Sequence, residues 1–312
     1  LMSKFGAEFH PKNKFFFPLR ITSSNYPIGI SYESGVSAQL KSAVILAGLN
    51  SYGNTEIKEN LKSRDHTENM LKKNKEAIKI KNKKVKNIII FGKQSLEKFS
   101  LNVPGDPSSA AFFTALTLLK DNSYLKIKNV GLNPTRIGFY SLLKKSGAKI
   151  QFANKKKINN EQVGDIIIKS SKLKPINASK KYYLNTTDEY PILFVISALT
   201  EGKSFFSGIS DLKNKESDRV KEMQKILKQI GVFSKFKNGK LLIKGKKLKI
   251  DKSKKINVSS LGDHRICMSA AILGFITGFK IKIKNFETVG TSSPSFLKIM
   301  KQLGGSFEKK EI

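Results

Sequence analysis

Apolar and polar positions along the chain form a pattern that recurs four times. Each copy starts with a polar residue that can cap a helix, continues as an apolar helix, and ends in a strand of alternating apolar and polar residues. The four caps are predicted at Ser37, Asp106, Asp188 and Asp263. The helices are predicted to end at Leu49, Leu119, Leu199 and Phe275, followed by strands over 54–59, 124–128, 203–207 and 279–284.

A second, amphipathic helix is predicted in each copy, and it ends at a glycine before further strands. The glycines at these ends are Gly6, Gly147, Gly231 and Gly304, at positions where a left-handed helix cap is expected. The unit is therefore β-α-β-α-β-β and recurs at intervals of about 70 to 80 residues, too long for a typical solenoid. The pattern predicts an α/β (α+β) fold in compact domains of a few copies each, with residues 1–9 as the tail of another copy.

The composition is typical of a globular protein. Its 312 residues, 39% of them apolar, predict about two domains. The single cysteine, Cys267, excludes a disulfide framework and a multi-cysteine zinc site, and it fits a reducing cytoplasm. The longest apolar runs, 110–119 and 191–199, are shorter than the ~18 residues needed to cross a bilayer. A soluble cytoplasmic protein without a metal is expected.

The chain is strongly basic, with 58 Lys+Arg against 24 Asp+Glu and a formal net charge of +34. A lysine-rich surface can bind nucleic acid, but the codon usage of an AT-rich genome produces the same excess of lysine. The few arginines are more informative, because a chain that favours lysine retains arginine mainly where two parallel hydrogen bonds are needed. Four of them, Arg64, Arg136, Arg219 and Arg265, lie in compact polar motifs.

These polar motifs lie at predicted helix starts, where unpaired backbone N–H groups favour phosphate or carboxylate. The densest motif is 215–219, in which Ser217 or Asp218 can cap a helix while Glu216 and Arg219, three residues apart, can face one site. Each motif alone can also be an ordinary cap, turn or charged surface. Several such helix starts that converge would bind a polyanionic substrate.

Taken in order, the motifs resemble those of the 5-enolpyruvylshikimate-3-phosphate synthase family over the whole chain. The motifs that carry the resemblance are Ser37-Ala38-Gln39, Ser63-Arg64-Asp65-His66-Thr67-Glu68, Gly105-Asp106 with Ser108-Ser109, Asn133-Pro134-Thr135-Arg136, Asp188-Glu189-Tyr190-Pro191, Lys215-Glu216-Ser217-Asp218-Arg219 and Gly262-Asp263-His264-Arg265. The resemblance implies two domains of three units each, with residues 1–131 in one and 132–312 in the other. Four and a fraction units then imply that about 110 to 120 residues precede Leu1, and that the chain alone is incomplete for catalysis.

The resemblance also implies a reaction. The family transfers the enolpyruvyl group of phosphoenolpyruvate to the 5-hydroxyl of shikimate 3-phosphate and releases phosphate, without a metal or an organic cofactor. By resemblance, Asp188, Glu216 and Lys215 serve proton transfer. The residues matching the shikimate 3-phosphate site are Ser37, Ala38, Gln39, Ser63, Arg64, Asp188 and Lys215, and those matching the phosphoenolpyruvate site are Gln39, Arg219, Arg265 and His264.

The sequence departs from the family pattern at one position, and two other functions remain as alternatives. Where many family members have a phosphoenolpyruvate-binding lysine, this chain has Thr291 within 290–294. The alternatives are the sister enzyme that transfers enolpyruvyl to UDP-N-acetylglucosamine on the same fold, and a basic nucleic-acid-binding protein. The second predicts aromatic residues interleaved with basic ones, whereas Phe112 and Phe205 fall in apolar segments. The expected partners are therefore the two small-molecule substrates, with no nucleic acid and no membrane, and the protein is expected to be a monomer.

Overall fold

The computed structural model describes residues 1–12, 16–82, 84–248 and 253–308. Two compact units are present: unit 1 comprises Leu1–Val103 and Lys157–Gln162, and unit 2 comprises Pro104–Lys156 and Val163–Ile312. The expected boundary between residues 131 and 132 falls inside unit 2, and it remains a prediction about how the repeats are grouped.

Unit 1 contains one clear copy of the predicted repeat. Its elements are β1 (Glu8–His10), β2 (Arg20–Thr22), β3 (Ser31–Ser34), α1 (Ala38–Leu49), β4 (Asn54–Glu59), α2 (His66–Leu71), β5 (Ile78–Asn82) and β6 (Lys86–Phe91). Strands β1 and β2 pair with each other, and the main sheet has the order β3-β4-β6-β5. Parallel β3 and β4 are joined across α1, and β4, β6 and β5 are antiparallel neighbours.

Unit 2 contains the other three copies. Its first elements are α3 (Pro107–Leu119), β7 (Tyr124–Gly131), α4 (Gly138–Lys145), β8 (Lys149–Ile158) and β9 (Glu161–Lys169). They are followed by β10 (Asn177–Ala178), α5 (Tyr190–Leu199), β11 (Gly202–Ser207), α6 (Arg219–Gln229), β12 (Phe233–Lys237) and β13 (Lys240–Gly245). The last are β14 (Lys255–Ser259), α7 (His264–Thr277), β15 (Lys280–Lys284) and α8 (Phe296–Gln302).

The sheets of unit 2 repeat the topology of unit 1. One sheet has the order β10-β11-β13-β12, which matches β3-β4-β6-β5 element for element, including a parallel first pair. Strands β7, β9 and β8 form a second sheet, and β14 and β15 form a parallel pair. The predicted β-α-β-α-β-β unit and the mixed α/β fold class are thereby confirmed.

The core of unit 2 is formed by the first helix of each of its three copies. Helices α3, α5 and α7 contact one another, and α5 is buried from Tyr190 to Ala198. Phe112, Phe194 and Phe206 are fully buried in this core. Because three apolar helices pack side by side, the polar residues at their starts are brought to one place.

Three of the four predicted helix ends, Leu49, Leu119 and Leu199, are confirmed, but α7 ends at Thr277 rather than Phe275. One cap prediction is wrong. The side chains of Ser37, Asp106 and Asp263 accept hydrogen bonds from backbone N–H groups of the first helical turn. Asp188 does not cap α5, because the N-cap position is taken by Glu189, which makes no side-chain cap bond. All four predicted end glycines have positive φ values of 94, 94, 74 and 86°.

Two glycines occupy equivalent places in two copies, where the last strand crosses the end of the first helix. A Cβ atom on Gly92, just after β6, would overlap the carbonyl oxygen of Ser51 beyond α1. A Cβ atom on Gly245, at the end of β13, would overlap the carbonyl oxygens of Ser197 and Thr200 at the end of α5. The close approach of two backbones therefore requires glycine at both crossings.

Candidate functional site

The starts of α3, α5 and α7 converge within unit 2. The Ser108 hydroxyl at the start of α3 donates a short hydrogen bond to the carboxylate of Glu189 at the start of α5. The neighbouring Asp188 carboxylate lies 3.7 Å from Nη2 of Arg265, at the start of α7. The convergence expected from the sequence is confirmed for these three helix starts.

Arg219, the first residue of α6, lies at the centre of this cluster and is only 1% exposed. Its Nε donates to Oδ2 of Asp263 at 2.9 Å, and its Nη2 donates to Oε2 of Glu216 at 2.5 Å. Its Nη1 lies 3.9 Å from the Asp188 carboxylate. Asp263 is fully buried and also accepts a hydrogen bond from Ser217. This set of contacts fixes the plane of the guanidinium.

Several donors of the two arginines are buried but make no hydrogen bond to the described residues. They are Nη1 of Arg219 and both Nε and Nη1 of Arg265. Buried cationic donors without acceptors are costly, and oxygen atoms of a carboxylate or phosphate are the acceptors that fit a guanidinium best. The helix starts nearby favour the same ligands. The cluster is therefore a candidate anion-binding site with two carboxylates, Asp188 and Glu216, at its edge.

Glu189 is a residue of the site that the sequence did not reveal. It is 2% exposed, and burial together with the charge of Asp188 raises its pKa to about 7. Arg136 Nη2 donates to Ser108 Oγ at 2.8 Å and to Asp106 Oδ1 at 2.6 Å. A polar connection therefore runs from Arg136 through Ser108 to a carboxyl group next to Asp188. The signal in the sequence is a carboxylate placed directly before a helix in which Ser197 is the one residue outside the apolar and aromatic types.

Lys215 and His264 are the sequence neighbours of two residues of the cluster, Glu216 and Arg265. The Lys215 Nζ atom is 3.0 Å from the carboxylate of Asp211, which also accepts a hydrogen bond from the Tyr183 hydroxyl at 2.6 Å. Lys215 is therefore held beside Asp211 rather than in the arginine cluster. Burial and the charge of Arg265 lower the pKa of His264, which favours its neutral imidazole.

The remaining predicted site residues, Ser37, Ala38, Gln39, Ser63 and Arg64, all lie in unit 1. Ser37 caps α1, and Ala38 and Gln39 form its first turn. Ser63 and Arg64 lie in the loop between β4 and α2, where Ser63 is buried against Glu59. Cys267, on α7, is buried, and burial raises its pKa to about 11, as expected for a core thiol.

Two structural findings concern metal binding and membrane insertion. Within the described ranges, no group of three or more His, Cys, Asp or Glu side chains is placed to hold a metal ion. None of the helices formed by the described residues has both the length and the apolar character required to span a bilayer.

Comparison with solved structures identifies the class of fold. The enolpyruvyl transferase NikO from Streptomyces tendae superimposes with a TM-score of 0.69 at 13% identity, over 98% of this chain and 70% of that one. This likeness defines the fold as that of the enolpyruvyl transferases.

Sequence comparisons define the family within that class. The sequence model of EPSP synthase (3-phosphoshikimate 1-carboxyvinyltransferase) matches residues 2–300. The 3-phosphoshikimate 1-carboxyvinyltransferase of Zymomonas mobilis is 39% identical over 98% of this chain and 69% of its own length. That of Petrotoga mobilis is 40% identical over 97% and 69%. EPSP synthase from Acinetobacter baumannii has a TM-score of 0.83 at 32% identity, over 99% of this chain and 70% of that one. The chain belongs to the EPSP synthase family.

Proposed function

We propose that the full-length protein transfers the enolpyruvyl group of phosphoenolpyruvate to the 5-hydroxyl of shikimate 3-phosphate and releases inorganic phosphate. The observation that supports this most directly is the set of buried guanidinium donors on Arg219 and Arg265 that make no hydrogen bond to the described residues, beside Asp188 and Glu216. Phosphoenolpyruvate carries a carboxylate and a phosphate, which are the groups that such donors bind.

The reaction requires two proton transfers at the carbon skeleton. The 5-hydroxyl oxygen attacks C2 of phosphoenolpyruvate while C3 accepts a proton, and the hydroxyl proton passes to a base. The tetrahedral intermediate then loses a proton from C3, and its C–O bond to the phosphate breaks. We assign this proton traffic to Asp188 and Glu216, with Lys215 nearby, because both carboxylates lie against the cationic cluster.

Substrate-binding roles are proposed for residues of each unit separately. In unit 2, Arg219 and Arg265 are proposed to bind phosphoenolpyruvate, with His264 next to them and with Asp188 and Lys215 also contacting shikimate 3-phosphate. In unit 1, the start of α1 and the β4–α2 loop are proposed to bind shikimate 3-phosphate through Ser37, Ala38, Gln39, Ser63 and Arg64. Gln39 is proposed to contact phosphoenolpyruvate as well. The N-terminus of α1 suits an anion for the reasons given above.

The proposed reaction is tested by following release of inorganic phosphate from phosphoenolpyruvate by the full-length protein. Turnover is expected with shikimate 3-phosphate and not with UDP-N-acetylglucosamine as the acceptor. Turnover with the nucleotide sugar alone would assign the protein to the sister reaction. Saturation with respect to both substrates and mass spectrometry of the product complete the assignment.

Replacement of Arg265 by lysine is expected to reduce kcat/KM for phosphoenolpyruvate by about ten- to hundredfold. A lysine is a point charge, and it cannot make the two parallel charge-assisted hydrogen bonds of a guanidinium. Steady-state kinetics of R265K measure the effect, and K237R, at an exposed position of β12, is the matched control. Unchanged kinetic constants for R265K would remove Arg265 from the proposed site.

A further inference from the structure

Four charged side chains to which the proposed reaction gives no role are buried together in unit 1. They are Lys41 on α1, Glu59 at the end of β4, Glu68 on α2 and Lys86 on β6, with side-chain exposures of 0, 0, 1 and 16%. We call them the buried charge cluster. The Lys41 Nζ atom is 2.7 Å from a carboxylate oxygen of both glutamates. Lys86 Nζ also reaches both, at 3.1 and 2.9 Å.

Stability alone is a weak explanation for such a cluster. Taking ions out of water costs free energy, and well-packed apolar side chains of similar size often stabilise a fold equally well or better. Lys41, Glu59 and Lys86 lie on the same faces of their elements as the core residues Val44, Ile57 and Ile88, so apolar side chains there would extend that core. The charges therefore call for a second role.

Glu59 connects the cluster to a residue of the proposed substrate site. Its Oε1 atom accepts hydrogen bonds from the backbone N–H of Ser63 at 3.0 Å and from the Ser63 hydroxyl at 2.7 Å. Burial opposes the charge of Glu59, but hydrogen bonds from Lys41 and Ser63 hold its pKa below the usual value. The charged carboxylate can only accept hydrogen bonds, so the Ser63 hydroxyl proton is turned toward it.

The same contacts connect two segments of unit 1 that are far apart in sequence. Lys41 lies on α1, within a turn of Gln39, and it holds the carboxylate that anchors the loop carrying Ser63 and Arg64. A second contact joins the same segments, because the hydroxyls of Ser42 on α1 and Thr67 on α2 are hydrogen-bonded at 2.7 Å. The start of α1 and the β4–α2 loop are thereby held at a fixed separation.

We propose that Glu59, paired with Lys41, is a positioning residue for shikimate 3-phosphate: it fixes the Ser63–Arg64 loop against the start of α1. This inference rests on the proposed function. The Lys41 and Glu59 side chains are fully buried, so they would affect substrate binding through Ser63 and Arg64.

The decisive variant replaces the central pair by apolar residues, K41M/E59L, in the full-length protein. It removes one charge of each sign, leaves the Glu68–Lys86 pair, and keeps the volume of both side chains, so the fold is expected to persist. The Ser63 loop loses its anchor. We expect KM for shikimate 3-phosphate to rise about tenfold or more, with KM for phosphoenolpyruvate nearly unchanged. The melting temperature is expected to fall only slightly, because the two Ser63 donors lose their acceptor while the apolar pair packs against the core.

Two further measurements distinguish positioning from a general loss of structure. E59Q is compared with S63A and with the double variant S63A/E59Q, and the losses are expected to be non-additive because Glu59 acts through Ser63. E56Q changes an exposed carboxylate on β4, the strand that carries Glu59, and as the matched control it should leave KM unchanged.

The results of these experiments distinguish a failure of the positioning role from a failure of the proposed function. An active wild-type protein and an unchanged KM for shikimate 3-phosphate in folded K41M/E59L would overturn the positioning role alone. Equal rises in both KM values with a strongly lowered melting temperature would also overturn it, in favour of a structural role. If the wild-type protein does not turn over shikimate 3-phosphate, the proposed function fails and the inference fails with it.

Discussion

Replacement of Arg219 by methionine is expected to lower the free energy of unfolding by about 3–5 kcal/mol. The substitution leaves Asp263 fully buried without its cationic partner, and it also removes the charge that faces Glu216 and Asp188. A buried carboxylate without a counter-ion is among the most destabilising features in a protein interior. Urea denaturation followed by circular dichroism measures the loss.

Two further variants test whether the loss of stability in R219M comes from the unpaired charge of Asp263. R20M changes an exposed arginine on β2 and should change the free energy of unfolding by less than about 0.5 kcal/mol. The double variant R219M/D263N removes both buried charges and keeps a residue able to cap α7, so it should recover part of the loss. If R219M were no less stable than R20M, the buried pair would not hold the cluster together.

The stability of the E189Q variant is expected to depend less on pH than that of the wild type. The pKa of Glu189 is raised from 4.5 to about 7, so the folded state binds a proton more tightly than the unfolded state. This contribution favours folding below pH 4.5 and is lost as pH rises toward 7. Between pH 5 and pH 8 the wild type should lose about 2 to 3 kcal/mol relative to E189Q.

Chemical denaturation of both proteins at pH 5 and pH 8 tests this expectation. E201Q is a suitable control, because Glu201 is an exposed carboxylate just beyond the opposite end of α5. Its pH dependence should parallel that of the wild type. An E189Q variant with the same pH dependence as the wild type would show that Glu189 does not bind its proton more tightly on folding.

The elements of the fold could be predicted well because local signals agreed with one another. Helix α1 and strand β4 have the predicted bounds, since a cap, an apolar run and an alternating strand follow in order. Strand β7 continues to Gly131, beyond the predicted Lys128, because a register shift between Ile127 and Val130 lets pairing resume. Periodicity within one strand does not reveal such an irregularity.

The scarcity of arginine indicated part of the site. Arg136, Arg219 and Arg265, three of the arginines in polar motifs, lie in one cluster, whereas Arg20, outside these motifs, is exposed. This agreement follows from the fixed geometry of the guanidinium, which a lysine cannot reproduce.

The buried carboxyl groups could not be predicted. Glu189 is bonded to a residue 81 positions away, and Lys41 looks like an ordinary surface lysine of a helix until Glu59 and Glu68 are placed around it. The sequence marks polar residues at helix starts, but it does not show whether a side chain there caps the helix or faces a neighbouring element. For this reason the prediction that Asp188 caps α5 is wrong.

Gly92 and Gly245 are two positions of this protein at which no other residue can be accommodated. A genome that favours lysine codons can replace exposed side chains with little effect on the fold, because each new side chain extends into water. At the two crossings any side chain would meet backbone atoms that have no room to move. The surface of this protein can therefore accept many different side chains, whereas the two crossings of strand and helix can accept only glycine.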